Sequence, residues 1–189
     1  MTPLRIMRSL LCGSLLFVAL PSYGATPSKF ASVSAMMSSL NDYTQENGTF
    51  KILRREPLHI QVSPMVFPGD FPDVIDAEVK RAVIYGVYRS FIHTSVNQIT
   101  VTAIPKELNP RTKSSRYLGA YKRTVTKTRK EALDLVRRYL HVAIFDALVE
   151  DQRIGGSVVS DIWTKAFNRL YYQDQGPPGL TTFYSELER

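Results

Sequence analysis

One stretch, residues 73–94 (DVIDAEVKRAVIYGVYRSFIHT), constrains the chain more than any other. Ile75, Val79, Ala82, Val83, Gly86, Val87 and Phe91 recur at helical spacing and make one broad apolar stripe. Asp73 follows a proline and Asp76 falls in the first turn, where side-chain oxygens and negative charge suit the free amides of a helix start. Glu78, Lys80, Arg81 and Arg89 fall mostly outside the stripe. A helix this long and this apolar has to lie on a sheet or on another helix.

The flanks supply the sheet. Leu58, Ile60 and Val62 alternate with His59, Gln61 and Ser63, which predicts a half-buried strand, with Pro57 confining any extension toward Phe50 to an edge. Residues 97–104 are β-branched and alternating, with Ile99, Val101 and Ala103 on one face. After a polar loop over 105–114, residues 116–126 read as a second strand, with a bulge or protruding tip where Lys122 and Arg123 break the alternation. Thr128-x-x-Glu131 is a capping box that opens a second long helix with Ala132, Leu135, Val136, Tyr139, Leu140, Ala143 and Ala147 on its stripe. Gly155-Gly156 makes a turn, residues 157–159 a short strand, and Ser160 or Asp161 caps a third helix carrying Trp163, Phe167 and Leu170. A short helix over 29–40 precedes all of this.

The order implies an α+β fold: a small antiparallel or mixed sheet in β-α-β-β-α order, the split β-α-β of ferredoxin-like proteins, with extra helices at both ends. Residues 1–24 read as a cleaved signal peptide, 25–49 as a helix and connector, 50–175 as a single domain and 176–189 as a tail. The tail residues Leu180, Phe183, Tyr184 and Leu187 either fold back or dock on a partner.

The signal-peptide reading rests on Arg5 and Arg8, an apolar run over 10–20, and Pro21 followed by small residues at Ser22 and Gly24, with cleavage near Gly24. The run of about 11–13 residues falls short of the roughly 20 that span a bilayer. Cys12, the only cysteine, lies inside the signal, so the mature chain depends on core packing without a disulfide. A periplasmic or secreted protein with no membrane span is expected.

The formal charge of +7 is unevenly spread: residues 106–130 carry nine cations against Glu107 alone. Within that stretch Lys113, Arg116, Lys122, Arg123, Lys127, Arg129 and Lys130, with Tyr117 and Tyr121, form the expected partner-binding basic hairpin. The plainer reading is that the charges keep an exposed edge strand from pairing.

Motifs for chemistry are missing. His59, His93 and His141 are far apart and form no metal-ligand spacing, there is no G-x-S-x-G, and Gly155-Gly156-Ser157 lacks the rest of a phosphate loop. No catalytic residue, metal or cofactor is assigned. The expected function is an exported, non-catalytic module that binds a protein partner in a cell-envelope assembly of secretion or conjugation type. The alternatives are a secreted cell-wall hydrolase, or a soluble binder of anionic lipid or glycan; nucleic acid is disfavoured by export. A histidine lining a deep pocket with a carboxylate behind it would favour the hydrolase.

Overall fold

A computed structural model of the chain describes residues 26–174 and 178–189. The predicted export signal, Cys12 and the Gly176-Pro177 part of the break before the tail lie outside these residues. The fold is α+β. Its main sheet runs β1 (Phe50–Arg54), β2 (His59–Val62), β4 (Gln98–Ala103), β7 (Arg123–Thr128) in that spatial order. The long helix α2 (Pro72–His93) crosses from β2 to β4.

Alternation sets the two faces of this sheet. Ile60, Val62, Ile99, Val101, Ala103 and Val125 are buried. The side chains between them form a hydroxyl ladder, with Thr100 on Thr126 at 2.8 Å, Thr102 on Thr124 at 2.9 Å and His59 Nε2 on Thr102 at 2.8 Å. Helix α2 lies so close to the buried face that a Cβ on Gly86 would sit 2.7 Å from Val101 Cγ1, which explains the glycine in mid-helix. Other helices close the core around α2. They are α1 (Val33–Leu40), α3 (Arg129–Leu140), α4 (Lys165–Tyr172) and α5 (Leu180–Glu188), all touching α2, and α3 and α5 also touch β7. The second half of α2 is therefore buried nearly all round, including Tyr88, Arg89, Ile92 and His93.

Several expectations are corrected. Strands β2 and β4 pair directly and in parallel, whereas the split β-α-β order would place another strand between them. The strand expected over 116–126 is two strands in two sheets. A small sheet joins β3 (Met65–Val66), β5 (Lys106–Asn109) and β6 (Ser114–Tyr117), and β5 lies where a loop was expected. Strands β4 and β5 run on through Pro105, and β6 and β7 return beside them across a 3₁₀ turn at Gly119–Tyr121. Pro105 has no N–H to give a ladder, so the hairpin bends there, with Leu118 N–H donating to the Pro105 carbonyl at 2.9 Å.

The capping box forms as read, with Glu131 N–H on Thr128 Oγ1 at 3.2 Å and Thr128 N–H on Glu131 Oε2 at 2.8 Å. Helix α3 nonetheless stops at His141, in the left-handed region at φ 54°, and leaves Ala143 and Ala147 outside it. Beyond them the chain forms a hairpin, β8 (Val149–Ile154) and β9 (Ser157–Trp163). Gly155 and Gly156, both at positive φ, make the two-residue turn. Asp161 and Trp163 therefore lie in a strand, and Thr164 caps the helix after it, accepting Phe167 N–H at 3.3 Å. The tail is the helix α5, with Leu180, Phe183, Tyr184 and Leu187 buried.

Candidate partner-binding surface

The nine residues of the expected basic hairpin are spread out, not gathered on one face. Lys113 sits at the tip between β5 and β6, and Arg116 pairs with Glu107 at 2.7 Å. Tyr117 donates to the Gly48 carbonyl at 2.7 Å with Lys51 Nζ 4.6 Å from its ring centre, while Tyr121 packs partly into the core. Arg123 reaches back to Asp76 at 3.0 Å. Burial alone would raise the Asp76 carboxyl, but hydrogen bonds from Lys80 and Arg123 outweigh it and hold it below the usual range. Lys130 pairs with Asp134 one turn on, at 2.6 Å. Lys113, Lys122 and Lys127 make no ion pair among the described residues, and they lie on different elements.

Arg129 has a different task. Its guanidinium donates to the carbonyls of Phe91 at 2.7 Å, Val96 at 3.0 Å and Thr94. Lys29 donates to Ile92 O at 2.6 Å and Phe30 N–H to His93 O at 2.7 Å. These two cations and one amide answer the free carbonyls and the negative end of α2. His93, in the last turn of the same helix, is fully buried. Burial lowers its pKa from 6.5 against the opposing pull of the Ser28 carbonyl and Asp161, so the ring is neutral at pH 7. Its Nδ1 lies 2.8 Å from Ser28 O, and its Nε2 lies 3.2 Å from Arg89 Nη1 and 3.6 Å from Asp161 Oδ2.

A depressed histidine stabilises the fold fully above 6.5, and that stability is lost as the pH falls from there through the folded value. Asp76, Glu131 and Asp134, depressed from ordinary values of 3.8, 4.5 and 3.8, lose theirs only below those values. Burial and the nearby Arg54 depress His59 from the same 6.5. The fall in urea midpoint just below pH 6.5 is thus expected to be shared by the two histidines, reduced in His93→Gln and flattened only when His59 is replaced as well.

Asp161 is the residue that joins the hairpin to the helix. Its carboxylate takes a charge-assisted hydrogen bond from Arg89 Nη1, and both side chains are more than nine-tenths buried. The Arg89 guanidinium lies 4.0 Å from the ring centre of Trp163, also on β9. Sequence reading missed this cluster because Asp161 stands 72 residues from Arg89. The available signal was Arg89 and His93 one turn apart within the largely apolar second half of the helix.

Above the cluster opens a cleft of about 800 Å³ between α2, α4, the hairpin and the loop after α1. Tyr43, Tyr85, Trp163, Tyr171 and Tyr172 supply its aromatic walls. The carboxylate lines the cleft and the histidine lies behind it, the reverse of the arrangement that would favour a hydrolase. Among the described residues no three His, Cys, Asp or Glu side chains are gathered to hold a metal ion.

The hairpin beyond Asp161 is scarcely packed. Val149 and Trp163 at its base are buried, but Ile154 is 66% exposed, Val158 52%, Val159 53% and Ile162 39%. Two strands alone are marginal in water, so the hairpin depends on its base and on the Arg89–Asp161 pair. Among the described residues no helix is long and apolar enough to cross a membrane. Compared with known proteins, the chain matches no family model, no curated protein and no solved structure at a significant level.

Proposed function

We propose that the chain is an exported, non-catalytic module, periplasmic after cleavage near Gly24, that docks on a protein partner in a cell-envelope assembly of secretion or conjugation type. The observation that carries this reading is the β8–β9 hairpin, which holds four β-branched apolar side chains in water on an element fixed at one end by a buried ion pair. Isolated exposed apolar residues are common, but this ribbon offers apolar contacts on both faces, Ile154 and Ile162 on one and Val158 on the other. The unpaired cations Lys113, Lys122 and Lys127 would serve as a second, salt-sensitive contact. A proton-transferring histidine would need access to the cleft, and His93 has none, which supports the non-catalytic reading over the hydrolase.

The test is affinity purification from the native envelope after mild cross-linking, with the wild type, V158S/V159S/I162S and K113E/K122E/K127E run in parallel. A discrete co-purifying protein, lost in the first variant and recovered in smaller amount with the second, is expected. Recovery of the same proteins with all three chains would refute the hairpin as the contact.

A further inference from the structure

We propose that the cleft above the Arg89–Asp161 pair binds a neutral glycan chain. The inference goes beyond the protein-partner reading and rests on different side chains. At about 800 Å³ the cleft falls within the roughly 300–1,000 Å³ of small-ligand sites, and its walls combine aromatic faces with a few convergent polar groups.

The charge balance selects the ligand class. Arg81 Nη2 is bonded to Glu78 Oε1 at 2.5 Å, Arg89 to Asp161, and Asp42 accepts the Tyr85 hydroxyl at 2.8 Å. Among the described residues every cation lining the cleft is already matched to a carboxylate, and Asp42 is left over as a negative charge. An anionic ligand would have to break a pair and approach Asp42, whereas a polyhydroxylated neutral ligand breaks nothing.

Spare hydrogen-bonding capacity faces the same space. Gln152 accepts from Ser160 at 2.6 Å and keeps its amide N–H₂ free, and Asn168 donates to Trp163 O at 3.3 Å and keeps its carbonyl. Paired carboxylates retain lone pairs, burial pushes the Tyr43 phenol up so that it remains a donor, and the Tyr85 oxygen, its proton given to Asp42, remains an acceptor. Tyr172, 59% exposed and edge-on to Tyr171 with 4.7 Å between ring centres, offers the flat apolar face on which a sugar ring stacks.

The chain has a single tryptophan, Trp163, and it lines the cleft, so its fluorescence reports occupancy directly. The protein is titrated with chitohexaose and, separately, with inorganic polyphosphate. A saturable change in Trp163 emission with chitohexaose is expected, weakened about tenfold or more in Tyr172→Ala and in Gln152→Ala, two exposed positions whose variants should keep the wild-type circular dichroism. No saturable change with chitohexaose at millimolar concentration overturns the proposal. Saturation by polyphosphate alone overturns the choice of a neutral ligand, and undiminished chitohexaose binding in both variants overturns the placement in the cleft. Because none of these readouts involves Val158, Val159 or the surface lysines, failure here leaves the protein-partner reading standing.

Discussion

Replacing Asp161 with alanine is expected to destabilise the fold by about 3–5 kcal/mol, because it leaves the Arg89 guanidinium buried and uncompensated. The loss is electrostatic desolvation more than loss of an attraction, since a buried pair regains only part of what dehydrating two ions costs. Arg89 is already under-served: its Nε has no hydrogen-bond partner, alone among the buried side-chain polar atoms described. Removing the charge as well, in Arg89→Met with Asp161→Asn, should therefore restore most of the stability. Urea denaturation measures both variants, and limited proteolysis at Gly155–Gly156 reports whether the hairpin has come loose. A cost under about 1 kcal/mol, the range of a surface pair, would mean that Arg89 and Asp161 do not hold the hairpin.

Phe183→Ala should be almost as costly, about 3–5 kcal/mol by the usual cost of emptying a buried aromatic site. Phe183 is completely buried in the terminal helix and meets Tyr88 at 5.7 Å, Tyr139 at 5.4 Å and Phe167 at 6.1 Å between ring centres. Those contacts join α2, α3, α4 and α5, so the cavity would sit where four helices converge. A loss this large shows as a clear drop in thermal midpoint. An unchanged midpoint would mean that the last helix is an appendage, not a wall of the core. Val158→Ser on the exposed ribbon, by contrast, should stay within about 0.5 kcal/mol of wild type.

How much the sequence disclosed depends on how local each signal is. The apolar positions of α2, β2 and β4 and the Thr128–Glu131 box rest on neighbours a few residues apart and appear in the structure. Gln61 and Ser63, expected on the open face of β2, are nonetheless buried as well. Partnerships across the chain were out of reach. Nothing near Pro105 reveals that it lies opposite Leu118 and splits one apparent strand between two sheets. The helix expected from Asp161 failed for a related reason. A polar residue ahead of Trp163 and Phe167 resembles a cap, and only the pairing with β8 makes it a strand residue whose carboxylate meets Arg89. The basic stretch is visible in sequence as a charge count, but its pairing is not. Arg129 turns inward to cap α2, and Arg116, Arg123 and Lys130 each find a carboxylate. The cleft was invisible because its walls come from five separate segments.

The most direct measurement is site-specific photo-cross-linking in intact cells, with the photoreactive residue at Val158 on the ribbon or at exposed Glu46, which is not part of the ribbon. A single discrete adduct with an envelope protein from position 158, absent from position 46, is the expected result. No adduct from position 158, or the same adducts from both positions, would contradict a docking role for the hairpin.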